Sequence, residues 1–197
     1  MRSPLGFAVD MQPHSMQSRS PAARPAPRAR HLPALLTLLT LPTACSGGSE
    51  PFAQIGTDEL SATQAAQLAH ADAARTEFAT TLLGELSNAL ADSGPVDAIA
   101  VCQARAPAIA TAVGQRHGVR IGRTAQRLRN PHNAPPPWAE AVLAAATDAD
   151  VTARQFVGSD GTFATLHPIR LLPLCVQCHG HEADLAAGVR EALQQRY

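Results

Sequence analysis

The densest chemistry in the sequence lies in five consecutive residues, Cys175-Val176-Gln177-Cys178-His179. Cys-x-x-Cys-His is the attachment signature of a c-type haem. Two thiols separated by two residues reach the two vinyl groups of one porphyrin and form thioethers. The adjacent histidine is then held under the iron and coordinates it. The pattern predicts Cys175 and Cys178 as covalent anchors and His179 as the proximal ligand, with one haem c per chain. Blander readings use the same residues. The two cysteines would serve as a thiol redox pair, as a structural disulfide in an exported protein, or as half of a zinc site. The zinc reading lacks a second cysteine pair to complete it.

The other face of such a haem takes a second ligand or stays open. Many small cytochromes use methionine there, but Met1, Met11 and Met16 are the only methionines and all lie at the far N-terminus. The remaining candidates are Cys102, His70, His117, His132, His167 and His181, or water at an open site. Cys102 falls on the apolar face of a predicted helix, where an unpaired cysteine is commonly a small core residue. The residue types alone leave this choice open. Arg123 and Arg129 suit charge-assisted hydrogen bonds to haem propionates. They equally suit solvated positions, with Arg127, around an Asn130-Pro131 turn.

The elements that must position these residues follow from hydrophobic spacing. A cap at Thr57-Asp58-Glu59 predicts a helix running to about Asp92. Phe78, Leu82, Leu86 and Leu90, joined by Leu83, form its i, i+4 core stripe. Ser93-Gly94-Pro95 breaks it, and Val96 to about Arg116 is helical again, with Ile99, Cys102 and Ala106 on one face. Pro107 should kink or split this second helix, and Gly118 closes it. Val119-Arg120-Ile121 alternates like a short strand, and residues 130–137 form a proline-rich loop. Trp138 to Ala146 is a short helix with Trp138 as a core anchor. Val151 to Val157 and Thr162 to His167 are strands joined by a Ser159-Asp160-Gly161 turn. Glu182 to Gln195 is a final helix. The order α-α-β-α-β-β-α indicates an α+β domain around a small antiparallel sheet.

The chain has 197 residues, and its beginning differs from the rest. Five arginines and one aspartate lie in the first 30 residues, and an apolar run follows from Leu32 to Leu41. A basic stretch, a short apolar stretch and small residues make an export leader over residues 1–44. The apolar run is too short to be a permanent membrane span. Met11 and Met16 are alternative starts. Leu41-Pro42-Thr43-Ala44-Cys45 is close to a lipoprotein signal, with Leu one place too far from the cysteine, so Cys45 is the candidate lipidation site. Ordinary cleavage at nearby small residues is the alternative. Residues 45–56 are small and polar, as a tether would be, and 57–197 form the folded domain. The leader holds five of the 16 basic and one of the 16 acidic residues, leaving 11 against 15, a net of minus four. Such a balance argues against nucleic acid as a partner. Lysine is absent throughout.

Three separated segments carry a family resemblance. They are Ala98-Ile99-Ala100-Val101-Cys102 with Ala106-Pro107-Ala108-Ile109-Ala110, then Gly122-Arg123-Thr124 with Arg129-Asn130-Pro131-His132-Asn133-Ala134-Pro135 and Trp138, then Pro173-Leu174 with the haem motif and Gly180. Together they resemble a family of bacterial and cyanobacterial single-haem c-type proteins, long classed as a domain of unknown function. The resemblance covers roughly residues 57–197. It implies a PAS-like fold and an iron held by His179 and, from an upstream helix, by Cys102. Thiolate ligation implies a low reduction potential relative to methionine. In that family a closing strand follows the last helix, whereas this chain stops at Tyr197. The resemblance thus implies a missing edge strand or a fragmentary sequence.

The function expected is that of a periplasmic single-haem cytochrome, held to the envelope by Cys45, for electron transfer or redox sensing. A sensor of this length needs a separate protein partner for its output. The competing readings are a peroxidase-like or small-gas-binding haem protein, which two protein ligands would oppose, and a non-haem thiol oxidoreductase at Cys175 and Cys178.

Overall fold

The computed structural model describes residues 5–11, 52–147 and 152–197. The apolar run 32–41, Cys45 and the tether as far as residue 51 lie outside the described residues. Helix α1, Ala62–Ala100, begins one turn later than the sequence suggests. Ser61 caps it: its side chain accepts from the Gln64 N–H, and the Gln64 side chain accepts from the Ser61 N–H at 2.9 Å. Thr57–Glu59 forms a separate 3₁₀ turn before this cap. Ala71, Ala74, Phe78 and Leu82 recur every three or four residues and are buried. They pack against Ile109 and Val113 of helix α2, Ala106–His117. Small alanines on the contact face let the two helices approach closely.

The expected break at Ser93-Gly94-Pro95 is present, as a sharp kink at Gly94 between two helical stretches of α1. Gly94 takes φ 76° and ψ −179°, a conformation open to glycine alone, and the helix resumes at once through Pro95. Pro107 acts as its chemistry requires. It has no N–H to give the carbonyl four residues back, and the helix widens there into a π turn, Val101–Arg105. Cys102 sits in that turn. Gly118 ends α2 in the left-handed region, at φ 63°.

One antiparallel sheet has five strands, ordered β2-β4-β5-β1-β3. Strand β3 is Arg120–Ala125, β4 is Arg154–Gly158 and β5 is Phe163–Ile169. The β4–β5 turn is the expected one. Asp160 accepts from both the backbone N–H and the hydroxyl of Thr162 at 2.8 Å, and Gly161 has φ 82°. Two strands lie where none was expected. Strand β2, Phe52–Ile55, extends the sheet from residues read as tether. Strand β1, Leu5–Met11, comes from residues read as leader and fills the slot between β5 and β3.

Helix α3, Pro137–Ala145, covers the β2–β4 end. Trp138 packs there as an anchor, its ring centroid 5.5 Å from Phe52 and 5.2 Å from Phe156. After β5 come the short helix α4, Pro173–His179, a 3₁₀ turn at Glu182–Asp184, and helix α5, Val189–Arg196. Left-handed Gly188 (φ 75°) separates the last two, so the final helix is shorter than its apolar spacing suggests. Helices with a small antiparallel sheet are the α+β class expected.

His167 of β5 is partly buried, and its Nε2, shut off from solvent without a hydrogen-bond partner, lies 3.5 Å from Asp72 Oδ1. Burial, and then Arg75, hold its pKa below the ordinary value, while Asp72 opposes them. The unfolded chain therefore takes up this proton at higher pH than the folded one, and stability falls as pH drops below about 6.5. His167→Gln should flatten that dependence. Melting temperatures at pH 7.5 and pH 5.5 should differ more in the wild type than in the variant; an equal difference removes His167 from the acid response.

Candidate cofactor site

Helix α4 starts with Pro173 in its first turn, where the missing N–H costs nothing, and the Cys175 N–H donates to the Leu172 carbonyl at 2.8 Å. Cys175, Cys178 and His179 are related by i, i+3 and i+4, so they share one face. Gly180 ends the helix by donating its N–H to the Val176 carbonyl at 2.8 Å. A Cβ on Gly180 would stand 2.5 Å from that same oxygen. Only glycine lets the chain turn away directly behind His179. Cys178 packs against the cluster of Ile99, Val189 and Ala192, and the Ala186 N–H donates to the Gln177 carbonyl at 3.0 Å. These contacts fix the motif against the kinked end of α1.

The shared face looks into a cavity of about 230 Å³. Cys175, Cys178 and His179 line one side. Cys102 in the π turn lines it too, beside an aliphatic wall from α1 that includes Leu82, Leu83, Leu86 and Leu90. The last three were expected to be core; they serve as cavity wall instead. The floor near β3 carries Arg123, whose guanidinium lies 6.0 Å from the Phe78 ring centroid and 3.5 Å from the Cys102 carbonyl oxygen. Arg129 also lines the cavity, and its Nη1 is buried with no hydrogen-bond partner.

The electrostatics follow from burial. Burial, with Arg129 and Arg123 nearby, pushes His179 down to about 4, so its ring is neutral at pH 7 and keeps a lone pair to donate. Burial raises the thiols of Cys102 and Cys178, while Arg123 works against it at Cys102 and Arg129 at Cys178. A metal that displaced the Cys102 proton would find a thiolate already flanked by guanidinium charge. Burial lowers Arg129, which leaves a desolvated cation in want of an anion.

The donors these residues offer decide what they can hold. Among the described residues no group of three or more His, Cys, Asp or Glu side chains converges as a bare metal ion would need. A porphyrin supplies four nitrogens itself and asks the chain for two axial ligands. Cys102 and His179 can be those two. The orphaned Arg129 donor and Arg123 suit two propionates, and the aliphatic wall suits the macrocycle. The donor set therefore fits haem.

The other candidate ligands lie elsewhere. His70 Nε2 is 2.8 Å from the His117 carbonyl, and His117 Nε2 is 2.7 Å from Glu77, which also pairs with Arg116. His132 and His181 are exposed, and His167 faces α1. None of the five lines the cavity. Sequence reasoning missed Arg170 and Tyr197, which do line it. Neither carried a local signal: one follows a strand, and the other is the last residue.

Residues 54–197 match the model of the Tll0287-like family, a domain family of unknown function. No curated protein and no solved structure matches the chain.

Proposed function

The chain belongs to the Tll0287-like family, and from that premise and the geometry of the cavity we propose that it is an exported single-haem c-type protein with a PAS-like domain. One observation carries the reading: both cysteines and the histidine of the attachment motif share a cavity with Cys102 and with Arg129, whose Nη1 is buried without a hydrogen-bond partner. Haem, when bound, supplies reversible one-electron chemistry at its iron. Cys175 and Cys178 anchor it through thioethers. His179, as a neutral imidazole, and Cys102, as a thiolate, would ligate its iron. Arg123 and Arg129 hold the propionates. Two protein ligands, one of them a thiolate, would make a low-potential, six-coordinate centre, suited to electron transfer or redox sensing rather than to catalysis at an open site. The protein works in the bacterial envelope, anchored by a lipid on Cys45.

Haem staining of the denatured protein tests the attachment, because thioethers survive denaturation. The intact mass of envelope-derived protein reads the haem and the lipid together. Axial ligation is tested by Cys102→Ala. Its ferric and ferrous spectra should differ from wild type, and carbon monoxide should bind it rapidly where the wild type binds slowly or not at all. An unchanged spectrum overturns Cys102 as a ligand. Rapid carbon monoxide binding by the wild type favours a gas-binding or enzymatic role instead.

A further inference from the structure

Three large apolar side chains stand exposed among the described residues, Leu128, Leu172 and Tyr197, and all three border the cavity. Four arginines line it as well, Arg123, Arg127, Arg129 and Arg170, and no Asp or Glu does. Two propionates neutralise two of these cations at most. Arg123 and Arg129 are the partly buried pair. Arg127 and Arg170 are exposed and form no ion pair among the described residues. The chain beyond residue 44 carries 11 basic against 15 acidic residues, so this face is basic on an otherwise acidic protein.

We propose that the rim of the cavity is a docking face for an acidic one-electron carrier protein. The carrier's apolar patch seats on Leu128, Leu172 and Tyr197, and carboxylates around that patch meet Arg127 and Arg170. An apolar centre with a charged rim is the anatomy of such interfaces, and the charge sets encounter rate more than affinity. A polyanion is disfavoured, because two exposed arginines neutralise too few phosphates and the net charge repels the rest. The inference rests on the haem reading above. In the step, the reduced carrier gives one electron to ferric iron and is itself oxidised by one electron; no bond forms or breaks and no proton need move.

The test uses the full haem-loaded protein and reduced plant-type ferredoxin, an acidic carrier of about −400 mV. The wild-type rate of haem reduction should fall steeply as salt is added. The double variant Arg127→Glu, Arg170→Glu should keep its haem spectrum and, at low salt, react at least about tenfold more slowly, with its rate rising on addition of salt. Reduction by a neutral deazaflavin radical should be the same in both proteins. Equal ferredoxin rates, or an equal slowing with the neutral reductant, overturn the docking face. Absence of haem from the wild type overturns the cofactor reading instead, so the two failures are told apart.

Discussion

Changing both Cys175 and Cys178 to Ser should abolish haem staining of the denatured protein and lower its melting temperature by roughly 10–20 °C. Serine nearly keeps the shape of each side chain, so the loss reads the thioethers themselves. The thermal effect follows from how α4 is held. It has seven residues and none is buried. A helix so short has little stability of its own. Without the cofactor, the wall formed by Leu83, Leu86 and Leu90 faces water or an empty space. Each large aliphatic side chain left without burial forfeits roughly 1.5–3 kcal/mol, and a domain of this size moves by about 2–4 °C per kcal/mol. Proteolysis should locate the damage, with cuts appearing first between residues 170 and 188. Staining that persists in the double variant would mean attachment elsewhere. An unchanged melting temperature together with lost staining would mean that α4 is held by protein contacts alone.

What could be seen in the sequence sorts by distance along the chain. Cys175, Cys178 and His179 are legible as one group because their spacing puts them on one face of a single short helix. Gly118 and the Asp160-Gly161 turn are legible for the same local reason. Pro107 announced a disturbance, but not that the helix would widen into a π turn carrying Cys102 into the cavity. Spacing alone left Cys102 level with five histidines, and only the resemblance separated it from them. His167 shows the converse: it looked available, and the fold turns it towards Asp72 of α1, away from the cavity. The arginines at 123, 127 and 129 stood out by composition, whereas Arg170 joins them only because β5 ends at the cavity mouth. Leu86 and Leu90 read as core because an aliphatic stripe looks the same whether it meets another helix or a cofactor. The sheet was least legible. Phe52-Ala53-Gln54-Ile55 is four residues long, follows a small-residue stretch, and earns its place only by pairing with β4.

Strand β1 carries the sharpest remaining consequence. Protein beginning at residue 45 should be less stable than the full chain by several kcal/mol, a large share of the roughly 5–15 kcal/mol that holds a typical domain. Leu5–Met11 pairs with β3 on one side, from Leu5 opposite Ala125 to Asp10 opposite Arg120, and with β5 on the other, from Leu5 opposite Ile169 to Met11 opposite Phe163. The ladder's hydrogen bonds, at roughly 0.5–1.5 kcal/mol each, do little more than offset the ordering of seven residues, at about 1–2 kcal/mol each. The larger effect is on the neighbours. Without β1, β3 loses the one strand partner it has among the described residues, and β5 gains an unpaired edge. Unpaired edges of this kind recruit other chains. The segment cannot leave with an export leader and remain in the sheet, so the two roles make opposite demands on it. Urea unfolding of the full chain and of residues 45–197 measures the difference. Adding a peptide of residues 3–13 in trans should restore the lost midpoint, and amide exchange should show protection returning to β3 and β5. Identical midpoints and identical exchange in both proteins would show that the sheet stands without this strand, and would leave residues 5–11 free to act as part of a leader.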